Sequence, residues 1–140
     1  MNKRINVVMT AVAGLVAVSA FAQAATSVTA GVYTDAQAAR GDKLYAENCA
    51  ACHGADLKGS SIIPPLTGSE FGASWQNKTV GDLFEKILTT MPAIAPGTYT
   101  AEQTADTIAY MLSVGKYPAG MTELSAKQEA LAQIRIEPMK

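Results

Sequence analysis

Apolar residues recur at helical spacing in the second half of the chain and predict two helices there. After Thr79, the positions that share one helical face are Val80, Leu83, Phe84, Ile87 and Leu88. After Thr100, the corresponding positions are Ala105, Ile108, Ala109 and Leu112. Asp82 and Gln103 each stand three positions after one of these threonines, which is the spacing of a reciprocal N-terminal cap. The two helices would end at Met91-Pro92 and at Gly115.

A third main helix is predicted earlier in the chain, and most of the rest is predicted to be loop. Thr34, with Gln37 three positions later, is the start signal of a helix over about 35–50. The stretch 55–77 is rich in Gly, Ser and Pro without a sustained period, which predicts a loop. A weaker helix is predicted over about 125–134, and no segment has the pattern of a strand. The class indicated is all-α, with three main helices and long loops.

The first 24 residues have the pattern of a secretory signal peptide. Lys3 and Arg4 precede an apolar run over 5–21, and the small residues around Ala22 and Ala24 offer two cleavage positions. An uncleaved membrane anchor is the alternative, although the run is short for a bilayer and contains polar residues. Export would place the mature chain in the periplasm, with no membrane span left after the signal is removed.

Length and charge limit the remaining possibilities. One domain over 35–115 is expected, preceded by a flexible lead-in at 25–34 and followed by a C-terminal extension at 116–140. The extension is either a docking strap for a partner or a segment folded over its own domain. Without the signal, nine basic residues face 12 acidic ones, which gives a net charge near −3. No basic cluster remains to bind nucleic acid, and the acidic balance predicts partners with basic surfaces and salt-sensitive association.

The stretch Cys49-Ala50-Ala51-Cys52-His53 is the haem attachment signature. Two thiols three positions apart at a helix end can bond the two vinyl groups of one porphyrin edge, and the histidine then binds the iron. A disulfide is one alternative. A thioredoxin-like dithiol needs a βαβ context that the pattern lacks. A four-ligand metal site needs more than the two cysteines and one histidine of the chain. With the secretory signal, the motif predicts one covalently attached haem c.

His53 is the single histidine of the chain, so a second histidine ligand is excluded within one copy. The sixth ligand is then methionine, a weaker side chain or solvent. The methionines beyond the signal are Met91, Met111, Met121 and Met139. Met91 starts a loop after an amphipathic helix and is the candidate that can turn inward, whereas Met111 is expected to fill the core. We expect His53 and Met91 to bind the iron, with a packing role as the alternative for Met91.

Over residues 35–115 the chain resembles class I cytochromes c. The resemblance is carried by Gly41 and Tyr45 ahead of the attachment signature, and by Tyr110 in the last helix. In that family the first and last helices cross closely, with a glycine and aromatic residues at the contact. The resemblance therefore implies a small cytochrome c fold wrapped around one haem, and it assigns Gly41, Tyr45 and Tyr110 to that crossing.

Three further residues are implied to bind the cofactor by the same resemblance. Pro64 matches the proline whose carbonyl accepts a hydrogen bond from the proximal histidine, with an ordinary rigid turn as the alternative. Leu66 matches a residue of the haem wall. Trp75 is similar to the indole that binds a haem propionate, although core packing would also explain it.

The loop from Met91 to Glu102 and the tail after Tyr117 resemble cytochromes that serve quinoprotein dehydrogenases, which use pyrroloquinoline quinone. The resemblance implies a carrier of single electrons that is not an enzyme by itself. Its partners would be redox proteins, including such a dehydrogenase and a downstream cytochrome or oxidase. The alternative functions are a haem protein with a labile sixth site, acting in catalysis or gas sensing, and a subunit whose haem is purely structural.

Overall fold

The computed structural model describes residues 26–138, so the predicted signal peptide and Met139 lie outside the described residues. The helices of this part are α1 (Asp35–Asn48), α2 (Ala50–His53), α3 (Gly68–Trp75), α4 (Val80–Thr90), α5 (Ala101–Val114) and α6 (Gln128–Leu131). A 3-10 turn (Val28–Ala30) and two short strands, β1 (Thr26–Ser27) and β2 (Ile134–Arg135), complete it. The predicted all-α class is confirmed. Within residues 26–138, each helix is too short or too polar to cross a membrane.

Two of the three predicted helix starts have the capping geometry that the sequence indicates. Thr79 with Asp82, and Thr100 with Gln103, form complete capping boxes in which side chain and backbone bond in both directions. At α1 the cap is one-sided. The Thr34 hydroxyl accepts from the Gln37 backbone N–H at 3.2 Å, but the Gln37 side chain turns away into the core.

Helices α1 and α5 cross at the centre of the molecule and make its most extensive helix–helix contact. A Cβ at Gly41 would overlap the backbone carbonyl of Asp106, so only glycine lets the two backbones come this close. Beside it the Tyr45 and Tyr110 rings lie 5.3 Å apart between centroids. Nearly the whole inner face of α5 is buried. The crossing implied by the family resemblance is therefore present.

The stretch 55–77 is not loop throughout, which corrects the sequence prediction. Helix α3 forms within it and buries Phe71 at 5% exposure. The predicted tail helix is also shorter than expected, because α6 covers only the single turn Gln128–Leu131.

The segment predicted to be a flexible lead-in is packed against the tail. Val28 and Tyr33 are both buried, and the Tyr33 hydroxyl donates to the Tyr117 carbonyl at 2.7 Å. Strand β1 pairs in parallel with β2, a strand that the sequence did not predict. The tail itself buries Leu124, Leu131 and Ile136. Residues 116–138 thus pack against the domain that they follow.

Candidate haem-binding site

The attachment signature occupies one tight turn that follows α1. The α1 helix ends at Asn48, and Cys49 caps the short helix α2, which ends at His53. The Cys49 backbone N–H donates to the Tyr45 carbonyl at 2.9 Å, which is a bond of the α1 helix pattern. The turn therefore continues the direction set by α1. The Cys49 side chain is half-buried, the Cys52 side chain is exposed, and the two form no disulfide. Two thiols on one edge of a helical turn suit attachment to one edge of a flat ring.

Hydrogen bonds from both sides hold the turn in place. The Tyr45 hydroxyl donates to the Gly54 carbonyl at 2.6 Å, and the Gly59 N–H donates to the His53 carbonyl at 2.8 Å. Gly54 has a φ of 79°, a conformation that favours glycine and lets the chain leave α2 sharply. Burial, with a smaller contribution from nearby Cys49, raises the pKa of Tyr45 to about 12, so its hydroxyl keeps its proton and donates at neutral pH.

The His53 ring is oriented by a single contact with the following loop. Its Nδ1 lies 3.0 Å from the Pro64 carbonyl oxygen. A carbonyl can only accept, so Nδ1 is the donor in this contact, and in the neutral imidazole Nε2 then carries the lone pair. A neutral imidazole held in this way presents Nε2 as a metal ligand, and the bond makes that nitrogen more electron-rich.

Tyr99 supports the same turn and was not predicted to do so. Its hydroxyl donates to the Leu44 carbonyl at 3.1 Å, and the side chain is 9% exposed. Burial raises the pKa of the Cys49 thiol, while the neighbouring Tyr99 hydroxyl acts in the opposite direction. The only sequence signal for this residue is an aromatic side chain just ahead of the Thr100 cap. Tyr99 belongs to the loop that carries the family resemblance, but that resemblance does not predict its contact with Leu44.

Met91 lies in a separate element, at the end of α4. It ends α4 in an extended conformation, with its N–H bonded to the Ile87 carbonyl at 3.0 Å. Its side chain is half-buried, in contrast to Met111, which is 3% exposed in the core, and to Met121, which is 98% exposed. Of the methionines in the described part of the chain, Met91 is therefore neither fixed in the core nor fully in solvent.

The remaining predicted residues lie at the margin of the hydrophobic core. Leu66 is half-buried, and its N–H bonds the Leu57 carbonyl at 2.8 Å. Trp75 is half-buried against Phe71, with ring centroids 6.1 Å apart, and the Lys78 ammonium lies 4.7 Å from its ring. Leu66 and Phe71 also line a cleft of about 210 Å³ that does not include the attachment turn or Met91.

The donor set and its surroundings fit a haem. The apolar side chains that pack against the core without being fully covered include Cys49, Leu66, Trp75, Ile87 and Leu88. Among residues 26–138, no cluster of three or more His, Cys, Asp or Glu side chains could hold a metal ion by itself. Two thiols, one oriented imidazole and several partly covered apolar side chains are the kinds of group that hold a macrocycle with its own metal.

A small helical domain with the attachment signature at the end of its first long helix is a c-type cytochrome. More specifically, the chain belongs to the cytochrome c family described as cytochrome c oxidase, cbb3-type, subunit III, whose model matches residues 36–111. Membership of a cytochrome c family implies a covalently bound haem c.

The comparisons with known proteins give one sequence relative and one solved structure of similar fold. The chain is 34% identical over 83 residues to the cbb3-type cytochrome c oxidase subunit CcoP of Rubrivivax gelatinosus, a match that covers 56% of this chain. The chain spans about a quarter of that relative, since the match covers 26% of its length. The solved structure of the sulfane dehydrogenase SoxCD from Paracoccus pantotrophus aligns with 91% of this chain and 67% of its own, at 22% identity and a TM-score of 0.52. That likeness concerns the fold alone.

Proposed function

We propose that this chain is an exported cytochrome that carries one haem c and passes single electrons between protein partners. The observation that carries the proposal is the His53 contact with Pro64, because it leaves Nε2 free to bind iron beside the two attachment thiols. When bound, the haem would supply one-electron chemistry at its iron. The chain would supply the two thioether links, the axial ligands and a cover that keeps water away.

In this proposal Cys49 and Cys52 attach the haem, and His53 and Met91 bind its iron. Met91 is supported by its half-buried side chain and its position at the end of α4. A thioether is a soft donor that favours the reduced metal and raises the reduction potential, which suits a carrier. Pro64 positions His53, while Leu66 and Trp75 contribute to the wall of the pocket.

The domain boundaries and the location follow the sequence interpretation. Residues 1–24 would direct export and be removed, and residues 35–115 would form the haem domain in the periplasm. The packed segments on either side, 26–34 and 116–138, would belong to the same folded unit, since their contacts join them to each other and to the core.

A redox complex is the proposed setting of the carrier. One relative is named as an oxidase subunit, and the aligned structure is that of a dehydrogenase. The loop after Met91 and the tail resemble cytochromes that serve quinoprotein dehydrogenases, so we propose such an enzyme as the electron donor. Gentle purification of the native protein tests this. Co-purification with a quinoprotein supports it, and co-purification with an oxidase core contradicts the choice of donor.

The ligand assignment is tested by replacing Met91 with Ala in the matured protein. The wild type should be six-coordinate and low-spin in both oxidation states, and M91A should become high-spin and bind carbon monoxide when reduced. Met121→Ala, at a fully exposed position, is the matched control and should keep the wild-type spectrum. An unchanged low-spin spectrum in M91A would contradict the assignment.

Carbon monoxide binding to the reduced wild type separates the carrier from a haem protein with a labile sixth site. A carrier with Met91 in place should bind the gas weakly and slowly. Fast, tight binding would favour catalysis or sensing. A pyridine haemochrome measurement tests the haem count, for which we expect one per chain.

A further inference from the structure

Helix α4, which ends at the candidate ligand Met91, is packed against the tail (116–138). Among the elements of the described chain, α4 makes its most extensive contact with α6 and a smaller one with α5. The residues just ahead of α4 are joined to the tail as well. The Ile136 N–H donates to the Lys78 carbonyl at 2.9 Å, and Thr79 forms an isolated antiparallel bridge with Arg135. The tail therefore contacts both α4 and the residues that lead into it.

Gly81 allows the backbones of α4 and the tail to lie close together. A Cβ at this position would be 2.9 Å from the backbone nitrogen of Ala132 and 3.0 Å from its Cα. Non-bonded carbon atoms pack at about 3.5–4.0 Å, so a methyl group here requires α6 to shift. The Gln128 side-chain amide donates to the Gly81 carbonyl at 3.1 Å, and Leu131 of α6 is fully buried. The contact is thus close and directed.

The two halves of α4 differ in how deeply the chain buries them. All of its buried residues lie within 80–84, and they are Val80, Gly81, Leu83 and Phe84. Farther along, Ile87 and Leu88 are only partly buried, and so is Met91. The chain's own residues therefore hold α4 mainly by the half that is farther from Met91, which is the half that contacts the tail.

We propose that the tail positions Met91 as an iron ligand by holding α4, with Gly81 and Gln128 as the positioning residues. The inference rests on the proposed function, in which Met91 binds the iron. A helix of 11 residues is about 16 Å long, so a tilt of about 10° at its first turn moves its far end by roughly 3 Å. A metal–ligand bond tolerates a displacement of only about 0.2 Å. A small shift of α6 is therefore sufficient to release Met91.

Carbon monoxide binding to the reduced protein measures this release. The gas binds only those molecules in which the sixth position of the iron is open, so its binding rate rises in proportion to that fraction. A substitution that lowers global stability without moving α4 leaves the fraction unchanged, as long as the protein stays folded. The rate therefore distinguishes a positioning role from a purely structural one.

Two glycine-to-alanine variants of the matured protein form the main test. Gly81→Ala should raise the rate of carbon monoxide binding by about tenfold, because the added Cβ separates α6 from α4. Gly41→Ala is the matched control, since its Cβ would overlap the Asp106 carbonyl at the crossing of α1 and α5. It should cost more stability and keep the rate within about twofold of the wild type. A similar rise in both variants, or no rise in Gly81→Ala, would overturn the proposal.

A milder pair of variants applies the same test if Gly81→Ala does not fold. Gln128→Leu removes the bond to the Gly81 carbonyl and should raise the rate by about threefold. Gln133→Leu, at an exposed position just after α6, is the matched control and should keep the wild-type rate. Equal rates in these two variants would contradict the positioning role of Gln128 and with it the proposal.

The double variant with Met91→Ala and Gly81→Ala separates release of the ligand from easier entry of the gas. If Gly81 acts through Met91, the double variant should bind carbon monoxide as fast as Met91→Ala alone. A further increase in the double variant would show that Gly81→Ala opens a path for the gas without acting on the ligand. That result would also overturn the proposal.

Met91→Ala by itself distinguishes a failure of this inference from a failure of the proposed function. An unchanged low-spin spectrum in that variant would contradict the ligand assignment, and this inference would fail with it. Fast carbon monoxide binding in Met91→Ala, together with the wild-type rate in Gly81→Ala, would contradict the role of the tail alone.

Discussion

Two regions lie next to each other along α1: its crossing with α5 and the attachment turn. They differ in how far their side chains are buried. At the crossing, Gly41 and Tyr45 are covered, and most of α5 from Thr104 to Leu112 is buried. At the turn, Cys52 is exposed and His53 is only half-buried. The side chains at the crossing are covered by other residues of the chain. At the turn, the side chains of Cys52 and His53 are not fully covered by the chain.

The difference separates what holds the fold from what performs the chemistry. The crossing depends on close packing, in which a single added methyl group is felt. The turn depends on a few directed hydrogen bonds, such as those from Tyr45, Tyr99 and His53. These bonds fix the backbone of the turn but do not bury its Cys52 side chain. Substitutions at the crossing should therefore change the free energy of unfolding. Substitutions at the turn should mainly change hydrogen exchange in the turn and its neighbouring loop.

Gly41→Ala should produce the largest effect. The added Cβ would overlap the Asp106 carbonyl, so the two helices must separate, and we expect a loss on the order of 3 kcal/mol. Helix propensity alone predicts the opposite sign, a gain of about 1 kcal/mol. Chemical denaturation measures the change. Ala46→Gly, at an exposed position of the same helix, is the control and should cost about 1 kcal/mol. A stabilised Gly41→Ala protein would contradict the close crossing.

Gln37→Leu should have the next largest effect, and it tests whether the tail belongs to the well-packed region. The Gln37 side chain, 2% exposed, donates to the Leu124 carbonyl at 2.9 Å and accepts from the Leu124 N–H at 2.6 Å. Leucine leaves both backbone groups buried without partners, so we expect a loss of about 2 kcal/mol and faster proteolysis of the tail. Gln128→Leu, which removes a single bond to Gly81, should cost less. Equal losses would contradict this difference.

Tyr99→Phe should have a smaller effect, confined to the turn and its loop. Loss of the hydroxyl removes the bond to the Leu44 carbonyl, at a cost of about 1 kcal/mol. Hydrogen exchange should rise in 93–98 while α1 and α5 remain protected. Tyr110→Phe keeps the ring of the crossing and serves as the control, with no change expected in that loop. A loss of protection across α5 would show that the two regions are not separable.

Much of the helical fold could be predicted from the sequence because its signals are local. The Thr79–Asp82 and Thr100–Gln103 pairs each span three residues, and the structure contains both as predicted. Helix α3 was missed although Thr67 and Glu70 have the same spacing. The Gly, Ser and Pro content around them outweighed that signal, and the Thr67 side chain makes no capping bond.

Contacts between distant parts of the chain could not be predicted. The Tyr33–Tyr117 bond joins residues 84 positions apart, and the Ser27–Glu137 bond joins residues 110 positions apart. Neither leaves a periodic signal. The same holds at the candidate site. The motif residues are contiguous and can be recognised in the sequence, whereas nothing in the sequence connects Tyr99 to the end of α1. The partner of His53 was indicated only through a family resemblance.

Glu123→Gln should have the smallest effect, visible only as a change in pH dependence. The Arg40 guanidinium bonds both Glu123 oxygens at 3.0 Å, and these bonds lower the pKa of that exposed carboxyl. The folded state keeps the carboxylate ionised at a lower pH than the unfolded chain does. Its stabilisation is therefore present at neutral pH and is lost as the pH falls through the folded-state pKa.

In acid, the free energy of unfolding of the variant should therefore fall slightly less steeply with decreasing pH than that of the wild type. Denaturant unfolding at a series of pH values measures this difference. High salt is the control, because screening should weaken the same contribution in the wild type and leave the variant nearly unchanged. Arg40 also bonds Asp106 at 2.8 Å, so this ion pair joins the tail to the crossing at its edge. If stability falls identically in acid for both proteins, the ion pair with Glu123 does not hold the tail. The tail would then be held by the Gln37 hydrogen bonds and by its own buried apolar residues alone.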